Sequence, residues 1–396
     1  MISPVLPSYA RAPMSFTQGT GPWLTAEDGT RFLDFGAGIA VTALGHAHPR
    51  LVEVLEKQAR RLWHVSNLYQ VPEQETLAQK LVDATFADTV FFTNSGTEAM
   101  ECAVKMARKH FSAKGMPERF RMITFEGGFH GRTLGMISAA KSEKLVGGFG
   151  PMLDGFDQVP FGDHETLKAA ITPQTAAIII EPVVGEGGIK PVPPQCLAGV
   201  RALCDDAGLL MICDEIQSGM GRTGKLFAHE WAHISPDIMA AAKGLGGGFP
   251  LGACLATEDA ASGMTPGTHG STYGGNPLAC AVGAEVLDVM LEEGFLDGVS
   301  RSAGRLRQGL AGLVDSYPDV FDSVRGEGLM LGLVCTAPNM DVVSAGYEAE
   351  LLTVPAAENV VRILPPLILS DADIDDGLRR LEQAAQAVRA SQVGAA

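Results

Sequence analysis

Residues 209–217 read LLMICDEIQ, an unbroken apolar run that ends on two acids. A strand with one wet face alternates apolar and polar side chains, so such a run needs a sheet covered on both faces. Similar runs lie on either side: TVFFT (89–93), RMITF (121–125), AAIIIEPV (176–183) and LGACLAT (251–257). Helical patterns separate several of them, among others at 97–112 and 195–207. This alternation predicts an α/β architecture around a buried, mainly parallel sheet.

After a helix-like stretch at 277–293 the character changes. A helical 297–316, strands near GLMLGLVC (328–335) and NVVRIL (359–364), and a polar helix over 371–391 predict a smaller α+β domain. WLTAEDGTRFLDF (23–35) reads as a hairpin turning at Asp28-Gly29 and is expected to pack against that domain. The expected organisation is an N-terminal segment 1–45, a large domain 46–285 and a small domain 286–396.

The chain has 396 residues, 46 % of them hydrophobic, enough for a large core in two domains. No apolar run approaches the roughly 18 residues a membrane span needs, and the start MISPVLPSYARAP lacks a basic leader and apolar block. A cytoplasmic location is expected. The formal net charge of −16 opposes nucleic acid or anionic membranes as partners. The seven cysteines form no C-x-x-C pair and lie mostly in apolar stretches, as reduced core residues do.

Ligands of open α/β sheets bind beyond the carboxyl ends of the strands. After TVFFT come Ser95, Gly96, Thr97 and Glu98, which suit an S-x-x-E helix cap or an anion site of N–H groups and hydroxyls. After RMITF, the turn Gly127–Arg132 offers Phe129, His130 and Arg132 to a pocket, or is a plain loop. Asp214, at the end of LLMIC, needs a cation or donors to offset its burial; a structural salt bridge would also serve. Lys243 lies between Ala240–Ala242 and Gly244–Gly248, where desolvation would expose a nucleophilic amine unless the chain snorkels to solvent. Ser271 and Thr272 add hydroxyls in a further turn.

Together these supply what pyridoxal 5'-phosphate requires: donors for its phosphate, a carboxylate for its ring nitrogen and an amine for its aldehyde. Two competing motifs fail on inspection. HEWAH (229–233) fits H-E-x-x-H, but Ser235-Pro236 leaves room for only a short helix, and Pro236 and Met239 stand where the extended zinc motif needs glycine and histidine. Its two histidines are expected on an amphipathic surface turn, and no metal is expected. GMGRTGK (219–225) lacks the hydroxyl residue of a P-loop, because Leu226 follows.

The stretches GIAVTALGHAHP (38–49), NSGTEA, GGFHGRT, EPVVGEGG, DEIQSGMGRTG, AKGLGGGFPLG, GSTYGGNPLAC, RGEGLMLGL and VVRILPP cover nearly the whole chain. In this order they resemble the subgroup III (ω-amino acid) aminotransferases of fold type I. That resemblance implies a homodimer with shared active sites and a mainly parallel sheet of seven strands. It implies that Lys243 binds the cofactor as a Schiff base and then serves as the proton-transferring base. Asp214 would pair with the ring nitrogen, Gln217 would reach the ring oxygen, and Phe129 and Ile216 would sandwich the ring. Ser95, Gly96 and Thr97 would hold the phosphate, with Thr272 reaching over from the second subunit, and Glu215 belongs with this cofactor set. Arg132 would take the distal carboxylate of the substrate and Arg362 the α-carboxylate of glutamate. Glu186 would cover Arg362 while the ω-amine donor is bound, and Ser271 is a further substrate contact. Ile39 stands where ornithine δ-aminotransferases carry a tyrosine that meets a free α-amine. An apolar residue there favours N-acetylornithine, with succinylornithine, succinyldiaminopimelate, ornithine and 4-aminobutyrate as alternatives. Selectivity among acyl groups rests on only about 1–3 kcal/mol.

Overall fold

The computed structural model describes residues 4–395. Three short strands open the chain, β1 (Phe16–Thr20), β2 (Trp23–Ala26) and β3 (Arg31–Asp34). β2 and β3 pair antiparallel across Asp28-Gly29, where Asp28 Oδ1 accepts the Thr30 N–H at 2.9 Å and Gly29 takes a left-handed φ of 89°.

The central sheet is built from β4 (Thr89–Thr93), β5 (Arg121–Phe125), β6 (Phe156–Val159) and β7 (Thr175–Ile180). A small hairpin, β8 (Val183–Val184) and β9 (Lys190–Pro191), leaves it before β10 (Leu210–Asp214), β11 (Ile238–Ala241) and β12 (Gly252–Ala256) rejoin it. Its seven strands run in the order β4-β12-β11-β10-β7-β5-β6, and β12 alone lies antiparallel to its neighbours. The unbroken apolar runs follow from this position. In β10, Met211 and Cys213 enter the core on one face and Leu210 and Ile212 the core on the other. In β7, Ile178 and Ile180 oppose Ala177 and Ile179 in the same way. Each large aliphatic side chain so buried contributes about 1.5–3 kcal/mol.

The helix Gly96–Ala113 covers the second face with Met100, Ala103, Val104, Ala107 and Phe111. Pro277–Met290 packs on the other side against Pro49–Ala59 and Pro72–Ala84, and it runs through residues 285 and 286 without a break. The later strands β13 (Phe321–Glu327), β14 (Met330–Cys335), β15 (Leu351–Leu352), β16 (Val354–Ala356) and β17 (Val360–Ile363) follow. Four of them form an antiparallel sheet in the order β13-β14-β17-β16, flanked by the helices Phe295–Ser316, Asn339–Glu348 and Asp371–Ala395. β15 instead pairs with β3, which ties the start of the chain to its last third.

Two strands of the central sheet, β6 and β11, were not expected: FDQV mixes polar residues into a sheet edge, and IMAA is four residues long with one β-branched residue, Ile238. No helix among the described residues is long and apolar enough to cross a membrane.

Candidate active site

β10 delivers its acid by simple alternation. Asp214 follows Ile212 by two residues, so it points to the face covered by Gly96–Ala113, at the strand's carboxyl end. There it borders a cavity of about 450 Å³. Ser95, Gly96, Thr97, Phe129, Arg132, Glu186, Asp214, Ile216, Gln217 and Lys243 all reach its wall.

Ser95 caps the helix, its Oγ accepting the Glu98 N–H at 3.4 Å, while Glu98 Oε2 reaches back to the Asn94 N–H at 2.6 Å. The expected capping box is thus displaced by one residue on its return leg. The N–H groups of Gly96 and Thr97 lie in the first turn, where no intrahelical carbonyl is in reach, and such groups, with the helix dipole behind them, suit an anion. Packing enforces glycine at two points. A Cβ on Gly96 would stand 2.8 Å from Ile216 Cδ1, and one on Gly131 would stand 1.8 Å from Thr97 Oγ1.

The acid does not stand alone. Asp214 Oδ2 meets His130 Nδ1 at 2.8 Å, and Oδ1 accepts the Ile216 N–H at 3.1 Å. Burial pushes the His130 imidazole toward neutrality, but Asp214 and then Glu181 outweigh it, so its pKa lies above the ordinary value. Glu181 Oε1 accepts the Phe129 N–H at 2.8 Å and Oε2 the Gly185 N–H at 3.1 Å. Burial and the Asp214 charge nevertheless push Glu181 up to about 7. Glu181 was missed from the sequence, although it follows the apolar β7 much as Asp214 ends β10.

Lys243 follows β11 at a left-handed backbone position, φ 47°. Its Nζ has no hydrogen-bond or ion-pair partner among the described residues. Burial lowers its pKa to about 8, with Glu186 and Asp214 opposing and Arg362 assisting. Behind the wall residues Glu186 and Gln217, Arg362 donates through Nη1 to Glu186 Oε1 at 2.6 Å and to Gln217 Oε1 at 3.4 Å, and through Nη2 to the Pro355 carbonyl at 3.0 Å. Its Nε, buried, is left without a partner. Arg132 is exposed, its guanidinium 5.4 Å from the centre of the Phe129 ring.

Five expected residues do not themselves line the cavity. Arg362 touches the cavity only through Glu186 and Gln217. Ser271 and Thr272 border a separate hollow with Asn94 and Tyr273, and Thr272 is exposed. Glu215 turns away: its carboxylate accepts from Ser218 Oγ and from the Ala228 and His229 N–H groups, and it meets His229 Nδ1 at 3.0 Å. Ile39 does not line the cavity, whereas Val41, two residues on, does.

Glu215 also corrects the reading of HEWAH. His229 is not on a surface turn but 5 % exposed, because Glu215, itself fully buried, needs its donors. Glu230 is spent on capping, accepting the Phe227 N–H at 2.7 Å.

The sequence profile of the class-III aminotransferases matches residues 6–385. This chain is a class-III aminotransferase. It is 62 % identical to the acetylornithine aminotransferase of Rhodobacter capsulatus over 97 % of this chain and 98 % of that protein. The N-acetylornithine aminotransferase of Stenotrophomonas maltophilia superposes with a TM-score of 0.86 at 38 % identity, covering 97 % of this chain and 98 % of that one. The ornithine aminotransferase of Toxoplasma gondii superposes with a TM-score of 0.94 at 32 % identity, covering 98 % and 93 %. Another structure of the Toxoplasma enzyme reveals PLP at partial occupancy in its active site. Class-III aminotransferases depend on pyridoxal 5'-phosphate, and the site fits it. The glycine-lined N–H cradle, the buried carboxylate and the unpaired amine share one cavity.

Proposed function

We propose that this aminotransferase moves the δ-amino group of N2-acetyl-L-ornithine to 2-oxoglutarate, giving N-acetyl-L-glutamate 5-semialdehyde and L-glutamate, a step of arginine biosynthesis. The observation that carries the reading is the Arg362–Glu186 pair, whose Glu186 lines the cavity that holds Lys243. Such a pair lets one site take two amines of different shape.

Pyridoxal 5'-phosphate, when bound, supplies an electron sink for the substrate carbon that loses its proton. Lys243 would hold it covalently, Ser95, Gly96 and Thr97 would hold its phosphate, and Phe129 and Ile216 would flank its ring. Asp214, oriented by the His130 contact, would pair with the ring nitrogen and keep it protonated. Gln217 would meet the ring oxygen. Lys243 Nζ, its basicity lowered by burial, accepts the proton at the substrate's amine-bearing carbon and returns it. Arg132 takes the donor's carboxylate while Glu186 neutralises Arg362. When Glu186 swings away, Arg362 presents two donors and the unpartnered Nε to the α-carboxylate of glutamate.

The large unit proposed to carry the cofactor spans residues 46–285, with 1–45 and 286–396 forming the small one. The working form is proposed to be a cytoplasmic homodimer in which Thr272 of each subunit completes the other's phosphate site. No nucleic acid or membrane partner is proposed.

A donor panel at matched concentration tests the substrate: N-acetylornithine, N-succinylornithine, ornithine, N-succinyldiaminopimelate and 4-aminobutyrate, with 2-oxoglutarate as acceptor. N-acetylornithine is expected to give the highest kcat/KM. The reading fails if ornithine or 4-aminobutyrate does.

A further inference from the structure

Glu186 sits in the loop of the β8–β9 hairpin, residues 185–189, and Arg362 in β17, so their ion pair joins two hairpins. The tip of the second hairpin, β16–β17, is Ala357-Glu358-Asn359, with Glu358 and Asn359 both left-handed at φ 55° and 57°. Asn359 pins this tip through its own side chain, donating to the carbonyls of Cys335 and Ala337 and accepting the Asn339 N–H at 2.8 Å.

The two tips are stitched at three points. The Ala357 N–H donates to the Glu186 carbonyl at 3.0 Å. Glu358 bridges Lys190, at the start of β9, and Arg325, in β13, whose Nη2 lies 2.9 Å from Glu358 Oε2. Gly188 closes the seam: a Cβ there would stand 2.6 Å from Arg325 Nη2 and 2.9 Å from the Ala357 carbonyl. Burial raises the Glu358 carboxyl and the two cations outweigh it, leaving it below its usual range.

We propose that Glu358 is a positioning residue that holds the Glu186 loop over Arg362, and so sets how readily the site releases Arg362 to an incoming α-carboxylate. The proposal rests on the roles given above to Arg362 and Glu186. With the clamp intact, Glu186 stays on Arg362 and favours the amine donor. With it loosened, Arg362 is more often free and dicarboxylates bind better. Both bridges are partly exposed, so their combined leverage is modest, about two- to five-fold in affinity.

The test uses the cofactor-loaded enzyme and glutarate, a dicarboxylate without a reacting group, with Kd measured by calorimetry. Glu358→Gln is expected to tighten glutarate about two- to five-fold and to lower KM for 2-oxoglutarate by the same factor, without lowering KM for the amine donor. Lys190→Gln, which cuts the same bridge from the other side, should shift both values in the same direction. In a Glu186→Gln background the effect of Glu358→Gln should vanish, because the group it positions is no longer charged. An unchanged Kd in the single variant, or an equal shift in the Glu186→Gln background, overturns the inference while leaving the substrate roles standing. Glutarate binding that is absent, or indifferent to Arg362→Ala, overturns the Arg362 assignment and the inference with it.

Discussion

Lys243 is held in a conformation that β-carbon-bearing residues avoid, and its amine is kept free of partners. Replacement by alanine is expected to cut turnover by about a thousand-fold or more while the unfolding midpoint stays near that of the parent; measured side by side, retained turnover would refute the lysine's role. Its lowered pKa has a sign that can be checked. A lysine at its ordinary value is about 0.1 % neutral at pH 7.5, whereas one at about 8 is about a quarter neutral. Cofactor-free protein should therefore take up pyridoxal 5'-phosphate faster as pH rises from 6 to 9, with a midpoint near 8, followed by absorbance. A midpoint above pH 10 would contradict the desolvated amine. His229 gives a second residue-scale expectation. His229→Ala removes a donor from the buried Glu215 carboxylate and should lower stability by about 1–3 kcal/mol in denaturant titration, while a chelator leaves the parent enzyme's activity unchanged.

Among the elements, the cradle at the start of Gly96–Ala113 depends on what its neighbours leave out. Gly131→Ala would drive a methyl into Thr97 Oγ1 at a left-handed φ of 136°, so it should weaken cofactor binding and lower stability by about 1–3 kcal/mol; an equilibrium dialysis constant matching the parent's would exclude that account. The elements themselves were legible to very different degrees. β4, β5 and β12 fall within a residue of their apolar runs, because burial on both faces leaves an unbroken signature that a single sequence carries. The left-handed run at Ala37, Gly38, Ile39 and Ala40 has no such signature: it is imposed by Asp34, whose Oδ1 accepts the Gly36 and Ala37 N–H groups at 2.9 and 2.8 Å. Counting back from Gly45-His46 names Ile39 as the specificity position, whereas Val41, just past this run, is the residue that reaches the cavity. HEWAH misled for a related reason, since a motif shows spacing but not which carboxylate a buried imidazole will meet.

At the scale of the whole molecule, an exposed apolar patch borders the second hydroxyl turn. Trp63, Leu68 and Tyr69 are 65 %, 86 % and 66 % exposed, and the His64 and Tyr273 rings lie 5.1 Å apart. Asn67 Nδ2 ties this segment to the Ser271 and Gly274 carbonyls, so it and Thr272 share one surface. A patch of this kind marks an association surface. Replacing both Leu68 and Tyr69 with aspartate should convert the proposed dimer to monomer in light scattering and remove most activity; a fully active monomer would rule out shared active sites. The sheet order carries a last consequence, one of timing. β4, from whose end the Ser95 cradle springs, lies at the sheet edge with β12 as its partner, and the register joins Thr93 to Gly252 across about 160 residues. At ribosomal speeds that separation is on the order of ten to thirty seconds of synthesis. The nascent chain can assemble β5, β6, β7 and β10 beforehand, but the strand bearing the phosphate cradle must wait for a partner made almost last in the domain. A ribosome stalled before residue 252 therefore holds a chain with much of its central sheet and no place for the cofactor to dock.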